Sequence, residues 1–169
     1  MKKSKITDEE EVASAIAKTI AEVEQVANIT INSAYVTILG KYVTIVQNSV
    51  VKEPKDKFAG ISSKDVNSAI GQLKDIDIPE DKLVIDMVVS GFTMDNGKVV
   101  EDPVGALSSS FTVKGQVILA DKDYVKQLTN IFKKVNIEID GIIPNVLAER
   151  KVILDKNEPN DNVMILDIG

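Results

Sequence analysis

The residues with the most chemistry in them lie in Asn162–Gly169, which reads NVMILDIG. An apolar β-type run delivers Asp167 and then Gly169 into a turn. An aspartate at the end of a buried strand can orient Mg²⁺ through water, and a glycine lets backbone amides approach a phosphate. The same residues also make an ordinary strand and turn. Glu101-Asp102-Pro103-Val104-Gly105 is the next candidate. Its proline fixes one dihedral and its glycine supplies another, as in a turn, or else Asp102, Pro103 and Gly105 contact a partner. The carboxylate pairs Asp75/Asp77 and Glu80/Asp81 flank a helix end and a proline, where solvated charge needs no catalytic explanation. Ser108-Ser109-Ser110 with Lys114 resembles a Ser/Lys dyad only on paper. Strand alternation puts Ser110 and Lys114 on one face about four residues apart, too far for a nucleophile–base hydrogen bond without a bend.

Composition narrows the field further. The 169 residues are 44% hydrophobic and 27% charged, enough apolar material for a core. There is no Cys and no His, which removes thiol nucleophiles, disulfides, Ser-His-Asp triads and nearly all zinc sites. A net charge of −6 with 4% aromatics is a poor match to nucleic acid. MKKSK is followed by ITDEEE rather than by an apolar segment, so it is not a signal peptide. No apolar run approaches the roughly 18 residues that a membrane span needs. The expectation is a cytoplasmic chain without nucleic-acid or membrane contact of its own.

These candidates have to be positioned by regular elements. Thr7 with Glu10 reads as a capping box, and Val12, Ile16, Ile20 and Val23 then repeat at helical spacing. INSAYVTILG reads as a strand ending at Gly40, and Tyr42–Val51 as a second. Ser62 or Ser63 caps a short helix. KLVIDMVVSGFTM is a long strand, with a hairpin turn at Asp95-Asn96-Gly97. FTVKGQVILA is a strand, Asp121 caps a helix, IEIDGII is a strand closed by Pro144, and a short helix follows. Residues 42–144 read as an α+β module, flanked by 1–41 and 145–169 as pieces of one larger α/β domain. Any small sheet has edges, and unpaired edges are where another chain can add. Tyr42, Thr44 and Val46 on the first strand of the module are therefore candidate partner-binding residues.

The run VASAIAKTIAEVEQVANITINSAYVTILGKYV, with Ala34–Val43 at its end, resembles the helix and strand of the bacterial FtsA cell-division family. EDPVGALSSSFTVKGQVILA, the helix and strand around Asn136-Ile-Glu-Ile-Asp140, and the closing VMILDIG follow in the family's order. The resemblance runs from about Glu11 to Gly169. Departures are Leu39-Gly40 before the lysine, Tyr42 where the family commonly has His, and Ile85–Phe92 without its usual His, Pro and Gln.

This resemblance implies an α+β module inserted in part of an actin-like, ribonuclease H-like domain. It implies an ATP-binding parent that associates with itself, with FtsZ and with other division proteins at the cytoplasmic face of the septal membrane. Asp167 and Gly169 would start the parent's second phosphate loop, with Asp167 holding Mg²⁺ through water. The chain itself is expected to be a fragment without a cofactor and without enzymatic activity, its inserted subdomain serving self-association and recruitment. The alternatives are a self-contained small-ligand or enzymatic α/β domain, or a pilus-assembly relative of the PilM type.

Overall fold

The computed structural model describes residues 5–56 and 58–153. The chain forms two compact units. One comprises the residues up to Val43 together with those from Ala120 onward, and the other is Thr44–Leu119. The expected boundary at 144 is corrected: the segment 120–144 belongs to the first unit.

The first unit holds α1 (Glu9–Ala27), β1 (Ser33–Ile38) and a 3₁₀ turn at Gly40–Tyr42. The cap of α1 is Asp8 and not Thr7, because the Asp8 carboxylate accepts from the amides of Glu10 and Glu11 at 2.9 and 3.1 Å. Glu9, Glu10 and Glu11 then sit where the helix dipole favours negative charge. The remaining elements of this unit return after a long excursion of the chain. They are numbered here in chain order as α3 (Lys122–Lys134), β6 (Glu138–Pro144) and α4 (Asn145–Ile153).

Asp121 occupies the cap position of α3 but makes no side-chain cap bond. That helix ends in a left-handed residue, Asn136 at φ +57°. The Ile137 amide reaches back to Phe132 and the Asn136 amide to Lys133, which satisfies two of the last carbonyls. Lys134 clamps this end to the start of α1, with its ammonium 2.6 Å from Glu10 and 3.4 Å from Glu9. β1 and β6 pair in parallel from Ser33↔Glu138 to Ile38↔Pro144. Val36, Ile38, Leu128, Ile131 and Ile137 are buried, whereas α1 buries only Ala13. The stripe Val12, Ile16 and Ile20 instead lines a groove of about 450 Å³ with Ile31, Ala34 and Phe132.

The second unit contains β2 (Val43–Lys52), α2 (Ser63–Gln72), β3 (Lys82–Met94), β4 (Val99–Val100) and β5 (Phe111–Asp121). The strands form one sheet in the order β2-β5-β3-β4. Ser62 and Asp65 form a reciprocal capping box at the start of α2. This helix lays Val66, Ala69 and Leu73 on Phe92, Met94, Phe111 and Val113 of the sheet. Asn48 of β2 donates to the Leu73 carbonyl at 2.9 Å and ties the end of α2 to the sheet. Gly115 of β5 makes this approach possible. A Cβ there would lie 2.8 Å from the Leu73 side chain and 2.9 Å from the Val88 carbonyl. Along β3, Met87 and Val89 pack toward this core, and beyond Gly91 so do Phe92 and Met94. Gly91, at φ +144°, absorbs that change of phase.

Candidate functional site

Asp167 and Gly169 lie outside the described residues. The carboxylates of Asp75, Asp77, Glu80 and Asp81 belong to exposed residues. Among the described residues no cluster of three or more acidic groups is placed to hold a metal. The serine run has a structural task. Asp95, in the β3–β4 turn, accepts from the Ser109 amide at 2.8 Å and from its hydroxyl at 2.7 Å. Ser108 accepts from the Asp95 amide at 3.4 Å and donates to the Ser110 carbonyl at 2.7 Å.

The hydrogen bonds from Ser109 and then Ser108 pull the Asp95 carboxyl from the ordinary 3.8 down to about 2. A group depressed on folding stabilises the fold above its unfolded pKa and loses that contribution as pH falls through the folded one. Acid should therefore release the loop from the turn between about pH 4 and pH 2. Side-chain NMR titration is expected to give Asp95 a midpoint near 2, moving toward 3.8 when Ser109 is replaced by Ala. An unshifted midpoint in the parent chain would show that the clamp does not form.

The loop at 101–105 is likewise built as structure. Asp102 accepts from the Val104 amide at 2.9 Å. The Ala106 amide closes the turn on the Pro103 carbonyl at 3.1 Å. Gly105 takes φ +81°, which only glycine adopts easily at the third position of such a turn. Pro103 is fully buried, so as a partner contact it is corrected to a core residue. Asp102, Val104 and Gly105 remain exposed.

The three residues predicted on the module's first strand separate. Tyr42 stands in the 3₁₀ turn of the first unit, stacked on Tyr124 at 3.7 Å with an 11° tilt. The Lys41 ammonium lies 4.7 Å from the Tyr42 ring centre. Burial, and then the Tyr42 neighbour, push the Tyr124 hydroxyl above its ordinary 10.0. Tyr42 is thus committed to an internal stack. Val46 is half-buried in the phase of Asn48 and Val50, the side that packs toward α2. Thr44 alone of the three is exposed.

What β2 does offer is its other phase. Ile45 is 53% exposed and Val51 69%, with Gln47 and Ser49 exposed between them. Among the described residues β2 is the terminal strand of its sheet, with β5 as its neighbour. It carries no proline and no charge before Lys52. The arrangement is a bare edge with two exposed apolar side chains, suited to strand addition and not to bond-making chemistry. Sequence reasoning chose Thr44 and Val46 over Ile45 and Val51 because both phases of VTIVQNSVVK carry β-branched residues. The anchoring of Asn48 to the end of α2 fixes the phase, and nothing local announces it.

The segment 40–119 matches the family described as the SHS2 domain inserted in FtsA. Over its full length the chain is 26% identical to the cell division protein FtsA of Bacillus subtilis. It is 23% identical to that of Pseudomonas aeruginosa and 22% identical to that of Escherichia coli K12, again over its full length. It spans only 38% of the first of these relatives and 40% of the other two.

Proposed function

We propose a function for a chain whose residues 40–119 match the SHS2 domain inserted in FtsA and which is similar to FtsA along its whole length. It is a cell-division protein of the FtsA kind. Beyond that, the inserted unit serves as the interaction module, joining copies of the chain and recruiting other division proteins. The observation that carries this reading is the β2 edge of the inserted sheet, terminal among the described residues and exposing Ile45 and Val51.

Nucleotide chemistry is assigned to the intact parent, with Mg-ATP held in part by Asp167 and Gly169. Contact with FtsZ and attachment to the cytoplasmic face of the septal membrane are assigned to the parent as well. Among the described residues no helix is long and apolar enough to cross a membrane. On this reading the chain is an adaptor piece and not an enzyme.

The test is location. A fluorescent fusion of the chain, expressed in a bacterium dividing with its own FtsA, is expected to mark mid-cell bands. Uniform fluorescence in cells with assembled division rings would overturn the reading. Calorimetry against Mg-ATP separates it from the small-ligand alternative, since tight binding by the chain alone would favour the latter.

A further inference from the structure

The residues of β2 are arranged symmetrically about Asn48. Val46 is matched by Val50, Gln47 by Ser49, Ile45 by Val51 and Thr44 by Lys52. Residues directly opposite each other in an antiparallel pair point to the same face. Two β2 strands related by a two-fold axis through Asn48 would therefore set Ile45 of each copy against Val51 of the other. These are the two large apolar side chains that β2 leaves most exposed, at 53% and 69%. On the opposite face Val46 would meet Val50.

Electrostatics agrees with this register. Lys52, the only charge on the strand, falls opposite Thr44 and at the far end from its own symmetry mate. We propose that the inserted unit recognises a second copy of itself by antiparallel β2–β2 pairing centred on Asn48, joining two four-stranded sheets into one with both α2 helices on the same face. This rests on the self-association reading above and names its partner and register.

Neighbouring registers serve less well. Moving the axis to Gln47 sets Ile45 against Ser49 and leaves the larger exposed side chains apart. An axis between residues would set Ile45 opposite Val50, two residues on opposite faces, which the pleat of an antiparallel pair does not allow. The pairing is also weak by construction. A single strand pair falls short of the roughly 1,200–2,000 Å² that stable interfaces bury. The Ser49 amide already donates to the Asn48 carboxamide at 2.8 Å, which guards one donor of the edge. The contact is thus reversible in isolation and effective where many copies are held together.

The chain has no cysteine, so single cysteines report the register directly. Ile45→Cys and Val51→Cys chains, oxidised as a mixture, are expected to give a cross-linked pair of one chain of each type. Either chain alone is expected to give little. Ile45→Lys should weaken self-association in sedimentation experiments by about a hundredfold, since the two-fold pair loses an aliphatic contact at each of its two Ile45 positions. Mixing Ile45→Lys with Val51→Glu should restore it.

Equal cross-linking by each chain alone would overturn the proposal. Preferential linking of Ile45→Cys to Ser49→Cys would overturn it too, as would self-association that ignores Ile45→Lys. Mid-cell bands that persist for Ile45→Lys while cross-linking fails would sink this inference and leave the adaptor reading intact. Loss of bands with cross-linking preserved would do the reverse.

Discussion

Gly115→Val is expected to unfold the Thr44–Leu119 unit at temperatures where the parent chain stays folded. The added Cβ would sit 2.9 Å from the Val88 carbonyl and 2.8 Å from the Leu73 side chain. The first is backbone of the neighbouring strand and cannot move without breaking the sheet. The second is fully buried and seats α2 on the sheet. Overpacking a filled core costs about 1–3 kcal/mol and sometimes more, and a branched side chain meeting backbone belongs at the upper end.

Leu73→Ala alone should cost about 2–5 kcal/mol, since it empties a fully buried site. Combined with Gly115→Val it removes one of the two clashes. The double variant should therefore be more stable than the sum of the two losses, with a coupling of roughly 0.5–3 kcal/mol. Urea unfolding followed by circular dichroism measures all three. Strict additivity would mean that the side chain at 115 does not press on α2.

The second large effect is predicted in the other unit. Ile131 of α3 has no exposed surface, and truncating it to Ala is expected to cost about 2–5 kcal/mol. The readout is where the loss appears. Amide hydrogen exchange should show lost protection in β1, β6 and α3, with β3 and β5 keeping theirs. Local opening within cooperative units of different stability gives that pattern. Uniform loss across the chain would instead show that both units unfold as one.

The elements were mostly legible because local signals fix them. The cap at Ser62 or Ser63, the Asp95-Asn96-Gly97 turn and the helix after Asp121 all depend on residues a few positions apart. The N-terminal cap was missed by one residue, since Thr7 and Asp8 are both good caps and only geometry selects between them. The domain boundary failed for a different reason. IEIDGII looks the same whether it joins the module or the flanking unit, and its partner β1 lies across the whole insertion. Only the pairing Ser33↔Glu138 decides the matter. The open edge was legible as an edge. Its working phase was not, because it depends on where the end of α2 lands.

That same pairing sets the order of events while the chain is being made. β1 leaves the ribosome about 100 residues before β6, and synthesis adds roughly 5–20 residues per second. For about 5–20 s, Val36 and Ile38 therefore wait for β6, while the whole Thr44–Leu119 unit emerges and can complete its own sheet. The inserted unit can complete its fold first, before the β1–β6 pair of the other unit forms.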